Sequence, residues 1–217
     1  YQAGYSLVGR YFGLIFTAIG MEYYPRITRV CHSRLRTRVF ASQEVNIMML
    51  CLLPIISIFL IARELIVSIL YSGEFRAIIP YISFAIVGTV MRAYSWFLAI
   101  VIVARGDGKI YIVTETLSVL TGFALNVACY HLWGLAGLGV AFCLWYAAYC
   151  LIVGVVYFRS YGYSLSRQSS LLSLFTLAFC AAIVFLLNEG WLWAAIAATA
   201  IISLFAGIRL RRLVSHR

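Results

Sequence analysis

Residues 77–109 read AIIPYISFAIVGTVMRAYSWFLAIVIVARGDGK. The first 28 of them are apolar apart from a few small polar side chains and Arg92, and a helix through them is longer than the ~20 residues needed to cross a hydrocarbon core of about 30 Å. The run stops at a short charged turn, Arg105 to Lys109, and a second apolar run begins at once. A crossing, a basic turn and a return crossing make a membrane hairpin, and the rest of the chain repeats that grammar.

Working outward, the same criterion predicts seven spans: 3–23, 46–62, 77–104, 110–130, 134–158, 171–187 and 191–208. The connections between them alternate in charge. One set, 25–42, 105–109, 159–170 and the tail 209–217, holds Arg26, Arg29, Arg34, Arg36, Arg38, Arg105, Lys109, Arg159, Arg167, Arg209, Arg211, Arg212 and Arg217. The opposite set holds Arg63 and Arg76, while Arg10 and Arg92 fall inside spans. This asymmetry predicts a cytoplasmic C-terminus and Tyr1 on the far side. Tyr130, Trp133, Trp191 and Trp193 sit near span ends on the external side, where an aromatic belt is expected.

Composition excludes several classes of function. With 64% hydrophobic and 11% charged residues the chain reads as all-α and integral to a membrane. The net charge of +10 lies in the cytoplasmic connections, where orientation and anionic lipid account for it, and there is no soluble domain to bind nucleic acid. The connection 25–42, with five arginines, reads as an anchor on anionic headgroups, or as a docking segment for a partner. Cys31, Cys51, Cys129, Cys143, Cys150 and Cys180 lack metal-site spacing, and His32, His131 and His216 are scattered; no metal or cofactor is expected. Seven acidic residues in all, Asp107 the one aspartate, leave little for paired-carboxylate catalysis and argue against an enzyme.

Local signals refine the layout. Pro25 is expected to end the first helix, and Pro54 to kink the second. The stretch 63–76 is too short to span and reads as an interfacial or re-entrant turn, broken at Tyr71 to Gly73, before Pro80 restarts a helix near its first turn. Gly9 and Gly13, and Gly134, Gly137 and Gly139, mark expected close helix contacts. The polar stretch 161–170 separates two units: residues 1–158 as a partial transporter lobe of about five spans, and 159–217 as a two-helix hairpin with a basic tail. The chain opens at Tyr1 without Met, n-region or cleavage site, so it reads as a fragment preceded by an odd number of spans.

Charges inside spans are the candidate site. Arg92, near the middle of its span, costs about 2.5–3.5 kcal/mol to insert and is expected to face a cavity and contact an anionic ligand. Glu115 is the acidic residue well inside a span. Helix rise puts it roughly 8 Å from the inner boundary against roughly 18 Å for Arg92, which favours pairing with Arg105 or Lys109 over pairing with Arg92. Arg10 can snorkel outward or bind substrate. Asn126 and Thr121 are expected to hydrogen-bond between helices, with Asn126 a further cavity candidate.

Taken in order, these patterns resemble a known family. Tyr1, Ala3, Gly4 and Tyr5 open a span that ends at 25–28 (PRIT); Pro54, 70–75 (LYSGEF), 104–109 (ARGDGK), Asn126 and 134–141 (GLAGLGVA) follow. The series resembles the second lobe of bacterial polysaccharide flippases of the multidrug/oligosaccharidyl-lipid/polysaccharide exporter superfamily, over about residues 1–158, with the last two spans similar to the extra pair of fourteen-helix members. The resemblance implies a MATE-like second lobe in the inner membrane, and a missing first lobe plus one helix. It also implies an undecaprenyl-diphosphate-linked oligosaccharide as substrate, its diphosphate and acidic sugars received by cationic residues. Arg92 and Arg10 suit that role. A multidrug exporter of the same superfamily, which would offer cavity carboxylates, a lipid II flippase, and a non-transporting scaffold contacting glycosyltransferases or a polymerase are the competing readings.

Overall fold

The computed structural model describes residues 2–70 and 78–215, and these are helical apart from short turns. The helices are α1 (Gln2–Val30), α2 (Arg34–Ile61), α3 (Arg63–Leu70), α4 (Ile79–Ala104), α5 (Gly108–Tyr161), α6 (Arg167–Asn188) and α7 (Leu192–Ser215). Among the described residues, five helices are long and apolar enough to cross a membrane: α2, α4, α5, α6 and residues 192–213 of α7. The first expected span falls short of that set, since α1 carries Arg10 and several glycines and tyrosines within its apolar run.

The fourth and fifth expected spans lie together in α5, whose 54 residues would run about 81 Å if straight. They do not run straight. Gly134 leaves the helical region, with φ 61° and ψ −138°, a conformation that a residue with a Cβ adopts only under strain. The chain reverses there. Trp145 Nε1 donates to Ser118 Oγ at 3.0 Å, the Tyr149 hydroxyl donates to Glu115, and the Tyr161 hydroxyl donates to Asp107 Oδ2 at 2.6 Å. These pairs are nearly symmetric about residue 133, so residues 108–133 and 135–161 are antiparallel arms of one hairpin. A Cβ on Gly137 would collide with the Cys129 carbonyl oxygen, and one on Gly122 with the Trp145 indole. Absent side chains let the arms meet that closely.

Helix α4 is the central element and packs against α1, α2, α5 and α6. It runs parallel to the second arm of α5, because Cys143 Sγ donates to Phe84 O and Cys150 Sγ to Met91 O, both across 59 residues. Gly139 permits this approach, since a Cβ there would lie 2.8 Å from Tyr81 O. Gly9 and Gly13 behave differently: no described atom lies within 4 Å of where their Cβ atoms would be, so they are not close-contact positions.

The basic connections gather at one end. Arg105 Nη1 donates to Cys31 O at 2.8 Å, joining the ends of α1 and α4, and its guanidinium stacks 4.2 Å from the Tyr161 ring centroid. Ser166 N donates to Ser42 Oγ at 2.9 Å, and Ser169 Oγ to Ser42 O at 3.1 Å, placing the start of α6 beside α2. Pro25 does not end α1, contrary to the sequence pattern: Tyr23 and Ile27 on either side of it are buried, and packing carries the helix on to Val30. The five arginines of 25–42 therefore ride mostly on helix ends around a turn near Cys31 to Ser33, closed by Thr37 Oγ1 donating to Val30 O at 2.8 Å. Helix α2 continues through Pro54. Pro80 lies in the first turn of α4, as expected. The expected break at Tyr71 to Gly73, and Arg76, lie outside the described residues.

At the opposite end Arg63 is buried instead of interfacial. Its Nη1 donates to Ser83 Oγ at 2.7 Å and its Nη2 to Asn188 Oδ1 at 3.1 Å, so one guanidinium ties α3 to α4 and α6. Burial pulls this guanidinium below its ordinary pKa, and the neighbouring Glu64 opposes the change; an arginine stays charged regardless.

Arg63→Ala is expected to destabilise the fold by about 2 kcal/mol, the scale of hydrogen bonds to a charged group. A clear drop in thermal midpoint in detergent, smaller for Arg63→Lys, is the expected reading, and an unchanged midpoint would contradict the tie. Gly134→Val should cost about 1–3 kcal/mol through backbone strain, whereas Gly9→Ala should leave the midpoint within error.

Candidate functional site

Where α4 meets the α5 hairpin there is a cleft of about 250 Å³. Arg92, at the midpoint of α4, forms one end, and Val103 and Tyr111 reach the other, about three helical turns away. Trp96 of α4, Glu115 of the first arm, and Tyr146 and Tyr149 of the second complete its character. The wall is aromatic, with one cation and one carboxylate.

Arg92 is half-buried. Its guanidinium carbon lies 5.3 Å from the Phe16 ring centroid of α1 and 5.7 Å from that of Tyr146. Contacts of this kind contribute about 0.5–2 kcal/mol each, so the pair offsets much of the insertion cost of an arginine at that depth. They leave the N–H donors unused, and no hydrogen bond or ion pair of this guanidinium occurs among the described residues. Arg92 is thus stabilised as a cation while its donors remain available to an acceptor in the cleft.

Glu115 enters the same cleft, although the helix rise alone separates the two residues in depth. The cleft runs along the helices and spans that difference. Neither Arg105 nor Lys109 takes Glu115, against the sequence expectation. Arg105 is engaged by Cys31 O, by Asp107 at 3.6 Å and by the Tyr161 ring, and the partner of Glu115 is Tyr149. That partner is 34 residues away and comes into register only through the reversal at Gly134.

Arg10 is exposed on α1, six residues and about 9 Å before Phe16, and it does not line the cleft. Asn126 and Thr121 are not interhelical links. Asn126 Nδ2 donates to Gly122 O at 2.7 Å and Thr121 Oγ1 to Leu117 O at 2.8 Å, each bonding its own helix one turn back. Such local bonds satisfy a polar side chain in an apolar layer without any neighbour. Of the four sequence candidates the structure brings together Arg92 and Glu115.

No family model, curated protein or solved structure matches this chain. The residues of the cleft are therefore what a functional reading rests on.

A double-mutant cycle on Tyr149→Phe and Glu115→Gln should give a coupling energy of about 1–3 kcal/mol in detergent unfolding. Additive effects would mean that the two side chains do not hold each other.

Proposed function

We propose that the chain is part of a bacterial inner-membrane flippase that carries an undecaprenyl-diphosphate-linked oligosaccharide toward the periplasmic leaflet for surface polysaccharide synthesis. In this reading it forms the second lobe of a two-lobe, MATE-like transporter with seven passes and a cytoplasmic C-terminus. The observation that carries the reading is Arg92: a cation at the midpoint of the central helix, held between two aromatic faces, with its donors directed to no described partner. A guanidinium fork suits the paired oxygens of a diphosphate, and the low dielectric of a cleft between apolar helices strengthens that bond. Five long apolar helices and the collection of basic residues at one end support the multi-pass arrangement.

Transport then follows from the elements that meet at the cleft. The walls come from α4 and the α5 hairpin, so a shift of the hairpin on α4 changes which end of the cleft is open. The diphosphate exchanges its water for Arg92, and the aromatic wall takes the apolar faces of the sugars. Glu115 is held by Tyr149, which leaves the Arg92 guanidinium open to the anion. Arg10, exposed on α1 and outside the cleft, is in this reading a second cation that meets the headgroup before it enters.

One observation favours a second reading. A carboxylate in a membrane cleft is what a multidrug exporter of the same superfamily would use for a cationic drug or a coupling ion, and Glu115 is such a carboxylate.

In cells whose surface polysaccharide depends on this protein, Arg92→Ala should lower polymer by about ten-fold or more, the worth of one charge-assisted contact. Immunoblotting should find the variant in the membrane at the wild-type level, and Arg92→Lys should retain part of the activity. Normal polymer in Arg92→Ala would overturn the flippase reading. If Glu115→Gln instead raised drug sensitivity while polymer stayed normal, the exporter reading would take its place.

A further inference from the structure

A second cavity lies at the basic end, remote from the Arg92 cleft. The terminal helices α6 and α7 both pack on α2, and between the three runs a groove of about 910 Å³. Its mouth carries Arg167 at the start of α6, and Arg209 and Arg212 near the end of α7. Its floor and walls are apolar, with Leu50 of α2, Leu172 and Phe175 of α6 and Phe205 of α7. Two classes of surface are stacked along one axis, a cluster of cations outermost and a hydrocarbon-like trough beneath it.

We propose that this groove binds one anionic phospholipid of the leaflet at the basic end. The three arginines share its phosphate, and an acyl chain lies along Leu50, Leu172 and Phe175. Charge complementarity selects the occupant: three arginines and no acidic residue are among the groove's lining, and a basic pocket between membrane helices is the kind of site that recognises anionic headgroups. Arg209 is already oriented by the ring of Phe205, 5.5 Å from its guanidinium carbon.

The depth of Asn46 supports the same occupant. Ser42 is level with the start of α6, through its hydrogen bonds with Ser166 and Ser169, and Asn46 lies one turn deeper on α2 and lines the groove. Its carboxamide oxygen is buried with no hydrogen-bond partner among the described residues. An unpaired buried amide costs about 1–3 kcal/mol. Just below a phosphate lie the ester linkages of a phospholipid, and the Asn46 amide nitrogen, the side of the carboxamide that is not closed off, donates to an ester carbonyl there.

This site does not depend on the transport reading. The test uses the full chain, purified in detergent with an equal mixture of phosphatidylglycerol and phosphatidylethanolamine, and counts retained lipids by native mass spectrometry. Wild-type protein should keep one phosphatidylglycerol in preference to phosphatidylethanolamine. Arg167→Gln/Arg209→Gln/Arg212→Gln should lower its retention by about ten-fold or more. Arg29→Gln/Arg36→Gln/Arg38→Gln removes the same charge from the same end outside the groove, and should change retention less than about two-fold. Leu172→Trp fills the trough without altering charge and should also displace the lipid. Circular dichroism checks the helix content of each variant. Equal loss in both triple variants would reduce the effect to general surface charge. Equal retention of both lipids, or full retention in Leu172→Trp, would likewise overturn the site.

Discussion

The reversal at Gly134 is the constraint from which the rest of the structure follows. An apolar layer offers no water to backbone groups, so a chain crossing it must stay helical until it reaches the far side and must turn within few residues. Here the turn is reduced to a single glycine at positive φ, with helix almost up to it on both sides. The arms can then lie close only because Gly122 and Gly137 carry no side chain, and the second arm can lie against α4 only because Gly139 does the same. With a longer loop or bulkier residues the hairpin would stand off from α4, and the cleft that holds Arg92 and Glu115 would lose its second wall.

Two arginines show contrasting solutions to charge in a poorly hydrated place. Arg63 is buried and spends its donors on Ser83 and Asn188, so that its charge becomes a joint between three helices. Arg92 is half-buried and rests on the faces of Phe16 and Tyr146, which stabilise the cation without using its hydrogen bonds. The first arrangement is closed and structural. The second keeps binding capacity in reserve, which is why the functional proposal is centred on Arg92.

Much of the architecture was legible in the chain itself. The apolar runs correspond to helices, the basic connections meet at one end, and Pro80 sits in the first turn of α4. What was not legible depends on residues far apart in sequence. The pairing of Glu115 with Tyr149 requires knowing that the chain folds back between them, and the burial of Arg63 requires Asn188, 125 residues away. Local chemistry disfavours proline in a helix and makes Pro25 a stop signal, yet packing of Tyr23 and Ile27 outweighs it. Asn126 and Thr121 look in the sequence like links between helices, whereas they donate to carbonyls of their own helix. Glycine spacing alone did not separate Gly137 and Gly139, which touch neighbours, from Gly9 and Gly13, which do not.

The most direct test of this account is whether the two halves of α5 lie side by side. With the six native cysteines replaced by alanine, Ser118→Cys and Trp145→Cys would be about 40 Å apart in a continuous helix but neighbours across the hairpin, where the Trp145 indole reaches Ser118 Oγ. A folded-back α5 predicts an intramolecular cross-link by a short, reducible thiol-to-thiol reagent in native membranes, seen as a mobility shift reversed by reductant and absent from either single variant. A pair that stays unlinked under conditions that link a control pair, Phe84→Cys with Cys143 restored, would contradict the reversal, and with it the shared cleft of Arg92 and Glu115.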